Sequence, residues 1–196
     1  MENIINLLRE SEAMLEGHFH LTSGRHSDRY FQCAKLLRYP DKAKAALTPV
    51  AEWIRDDIKS GKLAVDAVVG PAMGGIIVAY ELGRLLGLPA FFTERDDGGA
   101  MSLRRGFEVQ QGQHILIAED VVTTGKSSRE CASALEALGA RVIALACVVD
   151  RRMEDAEDVL WPMYPAVKVN VGNWDADNCE LCKKGMPVVK PGSRKT

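Results

Sequence analysis

The stretch Ile115-Leu-Ile-Ala-Glu119-Asp120-Val121-Val122-Thr123-Thr124-Gly125-Lys126-Ser127 sets four apolar residues ahead of two acids, then a run of small hydroxylated residues around a glycine. Such a turn, opening a helix, presents backbone N–H groups and hydroxyls to an anion, and the positive end of the helix dipole adds roughly 0.3–1 kcal/mol. The segment is not a nucleoside-triphosphate P-loop. That motif needs glycine five residues before Gly125, where this chain carries Asp120. The acids point to another ligand, because carboxylates accept hydrogen bonds from vicinal sugar hydroxyls while neighbouring donors hold a phosphate on the same sugar. Glu119 to Ser127 therefore describes a cradle for a ribose 5-phosphate.

Four other groups of residues carry chemical potential: the glycine-rich Gly70-Pro71-Ala72-Met73-Gly74-Gly75, the charged Glu94-Arg95 with Arg104 and Arg105 following, the aromatic pair Tyr30-Phe31, and Asp150-Arg151. Cys179-Glu-Leu-Cys182 has metal-ligand spacing, but four-coordinate zinc needs two further ligands and no second close pair exists. His18, His20, His26 and His114 form no HExxH-like pattern, so the expectation is an inert structural pair with no metal. A zinc or iron–sulfur site completed across a dimer and reversible disulfide chemistry are the alternatives.

The elements that must position these groups are legible from periodicity. Residues 1–15 carry three acids against Arg9 and an apolar stripe, which reads as an amphipathic helix and not as a secretory signal. Phe19 to Gln32 gives two short extended stretches around Ser23-Gly24-Arg25. Pro40-Asp41 opens a helix ending near Gly61. Apolar runs at Ala67–Val69, Ala90–Thr93, Ile115–Ala118 and Val142–Val149 then alternate with helices over Ile76–Leu86 and Lys126–Leu138. That rhythm predicts a parallel sheet flanked by helices. In such a sheet the loops at the strand C-termini form the binding crevice, so residues 70–75, 93–105 and 119–127 should converge. The tail from Asn173 shows only Gly, Pro, Lys and Cys enrichment, and no internal repeat is visible.

A length of 196 residues with 46% hydrophobic and 27% charged residues suits one globular domain and excludes disorder and collagen-like repeats. The net charge of -2 supplies no global field for nucleic acid or an anionic membrane, so any anion site must be local. No apolar run approaches the ~20 residues of a membrane span. Five cysteines, an odd number without a framework spacing, fit a cytoplasmic chain.

Glu119 to Ser127 resembles the phosphoribosyl pyrophosphate (PRPP) signature of the type I phosphoribosyltransferases. Gly17-His-Phe-His-Leu-Thr-Ser-Gly24-Arg25-His-Ser27 with Tyr30-Phe31 is similar to the amino-terminal hood of the orotate phosphoribosyltransferases, and the likeness spans nearly the whole chain. The resemblance implies an α/β fold with a Rossmann-like parallel sheet and a small N-terminal hood: hood mainly 1–40, core about 41–172, tail 173–196. It further implies PRPP binding by Met73, Gly74, Arg95 and residues Glu119, Asp120, Val121, Val122, Thr123, Thr124, Gly125, Lys126 and Ser127. Glu119, Asp120 and Arg95 become the catalytic set, the last opening a mobile loop. Orotate falls to Tyr30, Phe31, Thr123 and Arg151. The implied reaction joins orotate to the phosphoribosyl group with Mg2+ in pyrimidine synthesis, by a homodimer without nucleic acid or membrane.

The chain departs from the family pattern at cationic positions, with Thr22, Gly74 and Asp96-Asp97-Gly98-Gly99 where many members carry lysine or histidine. Arg104, Arg105, Arg25 and His26 are the candidate replacement cations. The deficit keeps open a catalytically weak PRPP-binding regulator, and transfer to another base is the second alternative.

Overall fold

Residues 2–21, 23–153 and 159–191 are described by the computed structural model, so the departure at Thr22 lies outside the described residues. The amphipathic start folds as α1 (Glu2–Glu10), shorter than its apolar pattern predicts. Ser11 closes it by donating from Oγ to the Leu7 carbonyl at 2.6 Å, and Glu12 then turns to φ 53°. Met14 and Leu15 consequently begin β1 (Met14–His20), which pairs antiparallel with β2 (His26–Phe31) across a register shift between Glu16 and Phe19.

The chain continues through α2 (Ala34–Leu37) and α3 (Pro40–Lys59) into β3 (Ala67–Pro71), α4 (Gly74–Leu86), β4 (Ala90–Arg95) and β5 (Met101–Leu103). After these come β6 (His114–Val122), α5 (Lys126–Glu136), β7 (Arg141–Asp150), β8 (Met163–Lys168), β9 (Asn173–Trp174), one 3-10 turn and α6 (Glu180–Lys183). The main sheet has the order β5-β4-β3-β6-β7-β8, with only β5 antiparallel to its neighbour. Since β3 is followed on one side by β4 and flanked on the other by β6, the topological switch point lies between β3 and β6.

Both faces of this sheet are covered, which explains its near-continuous apolar strands. Val68, Leu116, Ala118 and Ala146 pack with α3 and α4, whereas Val69, Ile115, Ile117 and Cys147 pack with α5 residues Cys131, Ala132 and Leu135. Each fully buried Val, Leu or Ile contributes about 1.5–3 kcal/mol.

Three elements depart from the sequence expectation. The strand predicted to end at Ala118 runs on to Val122, held by parallel pairing of Val121 with Val149 and Val122 with Asp150. Residues 93–105, expected as a glycine-rich loop, form a β4–β5 hairpin whose turn is tied by the Asp96 carboxylate accepting from the N–H groups of Gly98 and Ala100, both at 2.9 Å. The tail is folded: β9 adds to β2, giving a three-stranded sheet in the order β1-β2-β9. Val189 bridges Phe19, accepting from His20 N–H at 2.9 Å and donating to the His18 carbonyl at 2.8 Å.

Candidate active site

Side chains alternate along a strand, so the continuation of β6 through both acids sends them to opposite faces. Glu119 follows Ile115 and Ile117 toward α5, and Asp120 follows Leu116 and Ala118 toward α4. Glu119 lines a hollow of about 130 Å³ with Val121 to Ser128. That volume corresponds to about four waters, enough for a phosphate group. Asp120 lies against the turn before α4: a Cβ placed on Gly74 would fall within 2.4 Å of its carboxylate. Glycine at 74 therefore has a packing cause, and a lysine there would displace Asp120.

The same turn is tightly seated. A Cβ on Gly70 would meet the Gly75 carbonyl at 2.1 Å, and one on Gly75 the Ala118 carbonyl at 2.7 Å. These contacts press the Gly70–Gly75 turn, which contains a cis Ala72–Met73 peptide, onto the end of β6. Neither α4, whose N-cap is the exposed Met73, nor α5, whose N-cap is Gly125 at φ 69°, has a side-chain cap. Two helix N-termini with uncapped first turns thus open at the switch point, each suited to an anion.

The acids are costly to ionise. Burial, reinforced by the charge of Asp120, pushes the Glu119 pKa up to about 8, and burial raises Asp120 as well. Backbone N–H groups offset part of this, Val121 donating to Asp120 at 2.8 Å and Asp120 donating to Glu119 at 3.3 Å. A hydroxyl donor or a positive charge placed beside either carboxyl would favour its ionised form.

Within the cradle, Val122 is buried in the core, so only its backbone is available to a ligand. Thr124 Oγ1 stands 3.4 Å from Lys126 N–H, and Thr123 to Ser127 all line the hollow. Two further residues belong here that the sequence reading left out. Ser128, buried with its Oγ unpartnered among the described residues, lines the same hollow. Arg129 donates to the Thr124 carbonyl at 2.8 Å. Their position in the first turn of the helix after Gly125 was the available signal for both.

Arg95 reaches a neighbouring open hollow of about 580 Å³ shared with Lys126, Arg129 and Glu130, where it pairs with Glu130 and donates to the Gly99 carbonyl at 2.7 Å. Arg104 and Arg105 are not brought to that hollow. Arg105 makes a two-point pair with Glu94 at 3.0 and 2.9 Å, and Arg104 lies 3.9 Å from the same carboxylate. Arg25 is likewise engaged, with Asn173 and Asp175 at 2.8 Å each, and His26 is packed against His18.

The aromatic pair is divided for the same reason as the acids. Phe31 is buried and faces Arg151, whose Cζ lies 5.6 Å from the ring centroid. Tyr30 instead packs 5.9 Å from Phe19 and donates to Gln32 at 3.1 Å. Arg151 is 9% exposed, its Nε has no hydrogen-bond partner among the described residues, and burial pulls its pKa down against the opposing pull of Asp28. Asp150 does not neutralise it, being engaged by Arg152 at 3.0 and 3.1 Å. A buried guanidinium so placed is a ready partner for a planar anion.

Fold and site together define a phosphoribosyltransferase, and residues 41–176 match the phosphoribosyl transferase domain model. The chain is 47% identical over 193 residues to an orotate phosphoribosyltransferase of Heliobacterium modesticaldum, covering 98% of both proteins. Its fold is similar to the crystal structures of orotate phosphoribosyltransferase from Aeropyrum pernix (TM-score 0.67, 23% identity, 85% of this chain and 93% of that one) and Mycobacterium tuberculosis H37Rv (TM-score 0.65, 23% identity, 85% and 94%), the latter in complex with inorganic phosphate. The chain belongs to the orotate phosphoribosyltransferase family.

Proposed function

We propose that the chain transfers the 5-phosphoribosyl group of PRPP to orotate, giving orotidine 5'-monophosphate and pyrophosphate in pyrimidine synthesis. The observation that carries this reading is the buried acid pair Glu119–Asp120 at the switch point, between the uncapped first turns of α4 and α5 and on the strand adjoining the one that delivers Arg151. Thr124 to Ser128 hold the 5-phosphate at the start of α5, and Glu119 and Asp120 accept from the ribose hydroxyls. The first turn of α4 with Met73 and Gly74 receives the pyrophosphate. Arg151 binds the orotate carboxylate beside the face of Phe31, with Thr123 at the ribose end of the base.

The orotate N1 forms the new bond to the anomeric carbon, losing its N–H proton, as the bond from that carbon to pyrophosphate breaks and the electron pair leaves with the pyrophosphate oxygen. Positive charge grows on the sugar ring and negative charge on the leaving oxygen. The acid pair opposes the first, while helix N–H groups and Arg95 oppose the second, so positioning and electrostatics supply most of the acceleration. A buried acid pair with raised pKa values beside a phosphate-binding turn fits Mg2+, which Asp120 would hold and which, when bound, neutralises leaving-group charge. Homodimeric assembly belongs to the same reading, supported by the exposed apolar Ile77 and Tyr80 of α4. So does a cytoplasmic setting, supported by five unpaired cysteines.

The test mixes purified protein with PRPP, Mg2+ and orotate and follows loss of orotate absorbance with pyrophosphate release, running adenine, hypoxanthine and uracil in parallel. Orotate-dependent turnover abolished without Mg2+ is the expected result. Preference for another base, or PRPP binding without turnover on any base, overturns it.

A further inference from the structure

Four ligand-type side chains from opposite ends of the sequence converge in the hood: His18 of β1, His26 of β2, and Cys179 and Cys182 flanking the first turn of α6. One ligand atom from each lies within 4.8 Å of all the others. His18 Nε2 is 2.8 Å from His26 Nδ1, 3.4 Å from Cys179 Sγ and 3.7 Å from Cys182 Sγ, and Cys182 Sγ is 3.3 Å from His26 Nδ1. A tetrahedral zinc ion, bonded to sulfur at about 2.3 Å and to nitrogen at about 2.0–2.1 Å, spaces its ligand atoms about 3.3–3.8 Å apart. The three sulfur–nitrogen separations meet that requirement and the nitrogen pair is drawn somewhat closer.

Hydrogen bonding alone does not account for this cluster. His18 Nδ1 lies 2.8 Å from the Met186 carbonyl, which can only accept, so Nδ1 carries the proton and Nε2 is left with a bare lone pair. That single lone pair is approached by three groups at once. One cation at the centre satisfies all four, with the Met186 carbonyl acting as the outer partner that fixes the ring.

We propose that His18, His26, Cys179 and Cys182 bind one zinc ion in a closed structural site that fastens the C-terminal segment to the hood. Two sulfurs and two nitrogens in tetrahedral reach are zinc chemistry. A two-iron cluster with the same ligand types divides them between separate metals, which four atoms this close do not allow. Three of the four ligand residues are buried and no fifth position faces a pocket already described, so the ion has a structural task. It joins residues 161 apart in sequence, a long loop whose closure is entropically costly without a clasp, and it seats the strand partners β9 and Val189 against β1 and β2. On this proposal the two ligands that the cysteine pair lacks in sequence come from the hood of the same chain, not from a partner subunit.

The full-length protein, purified under reducing conditions without chelator, is assayed for bound metals by mass spectrometry, then stripped and titrated with Co2+ and Zn2+. The expected results are about one zinc per chain, strong visible Co2+ absorption with thiolate charge transfer, and a rise in melting temperature on zinc addition. Cys182→Ser and His26→Ala each weaken zinc binding by at least about tenfold. Metal-free folded protein that gives no tetrahedral Co2+ spectrum overturns the proposal, as does iron in place of zinc or a Cys179–Cys182 disulfide detected as two lost thiols. Should a variant fail to fold, the Co2+ titration of the unaltered chain decides. No readout depends on orotate turnover, so this inference and the catalytic reading stand or fall separately.

Discussion

Glu119→Gln tests the electrostatic account of the site in the ligand-free protein. Burial and the Asp120 charge raise the Glu119 pKa from 4.5 to about 8. Between those values the unfolded chain has released a proton that the folded chain retains, so stability falls as pH rises through the window and levels off above it. Each pH unit of that gap corresponds to about 1.4 kcal/mol, giving about 5 kcal/mol as an upper bound. Water entry and relaxation reduce it, so the expected penalty is about 2–5 kcal/mol. Glutamine keeps the shape and never ionises. The variant should match the parent in stability near pH 4.5 and exceed it at pH 8.5 by that amount, read from urea midpoints at constant slope. A second measurement follows from the same cause. PRPP with Mg2+ favours the carboxylate, so binding at pH 7 should release protons, seen calorimetrically as a buffer-dependent enthalpy that shrinks in the variant. Parallel stability curves for the two proteins, or binding without proton release, would refute the reasoning.

Arg151→Ala should lower kcat/KM for orotate about ten- to a hundredfold, the value of a charged hydrogen bond, while PRPP binding without orotate changes by less than about twofold. Unaltered orotate kinetics would remove Arg151 from the base pocket. Gly74→Ala forces its methyl into the Asp120 carboxylate and should cost about 1–3 kcal/mol of stability together with PRPP affinity, checked by denaturation and direct titration. Normal values for both would mean the turn can move aside. Arg95→Ala should reduce kcat by about tenfold or more, whereas Arg104→Ala and Arg105→Ala, both answered by Glu94, should each change it by less than about threefold. The reverse ranking in steady-state assays would show that Arg104 and Arg105 carry the replacement charge.

The parts of this protein legible in its sequence are those whose cause is local. Apolar runs and helical periods located β3, β4, β6, β7, α4 and α5 because burial on both faces of a parallel sheet writes itself into consecutive residues. Weak patterns hid the periphery. In β8 the edge position tolerates Pro165 and intermediate burial, and β9 is only two residues long. Charge partners were harder still, since Glu94 answers Arg105 from 11 residues away and Arg25 finds Asp175 from 150 away. The hood cluster shows the same limit: His18 and His26 meet only because β1 and β2 pair antiparallel across an irregular register, and the cysteines arrive from the far end of the chain.

The acid pair shows how a motif can be legible in sequence while its geometry is missed. Ending the strand at Ala118 leaves Glu119 and Asp120 as equivalent residues of one loop, both turned to the sugar. The sheet pairing through Val122 makes them inequivalent, because adjacent strand residues point to opposite faces. Glu119 shares its hollow with the turn that opens α5, and Asp120 stands over the turn that opens α4. The two carboxyls that the proposed reaction sets against the ribose hydroxyls thus approach from different faces of the sheet, and the glycine at 74 is the clearance that the second of them requires.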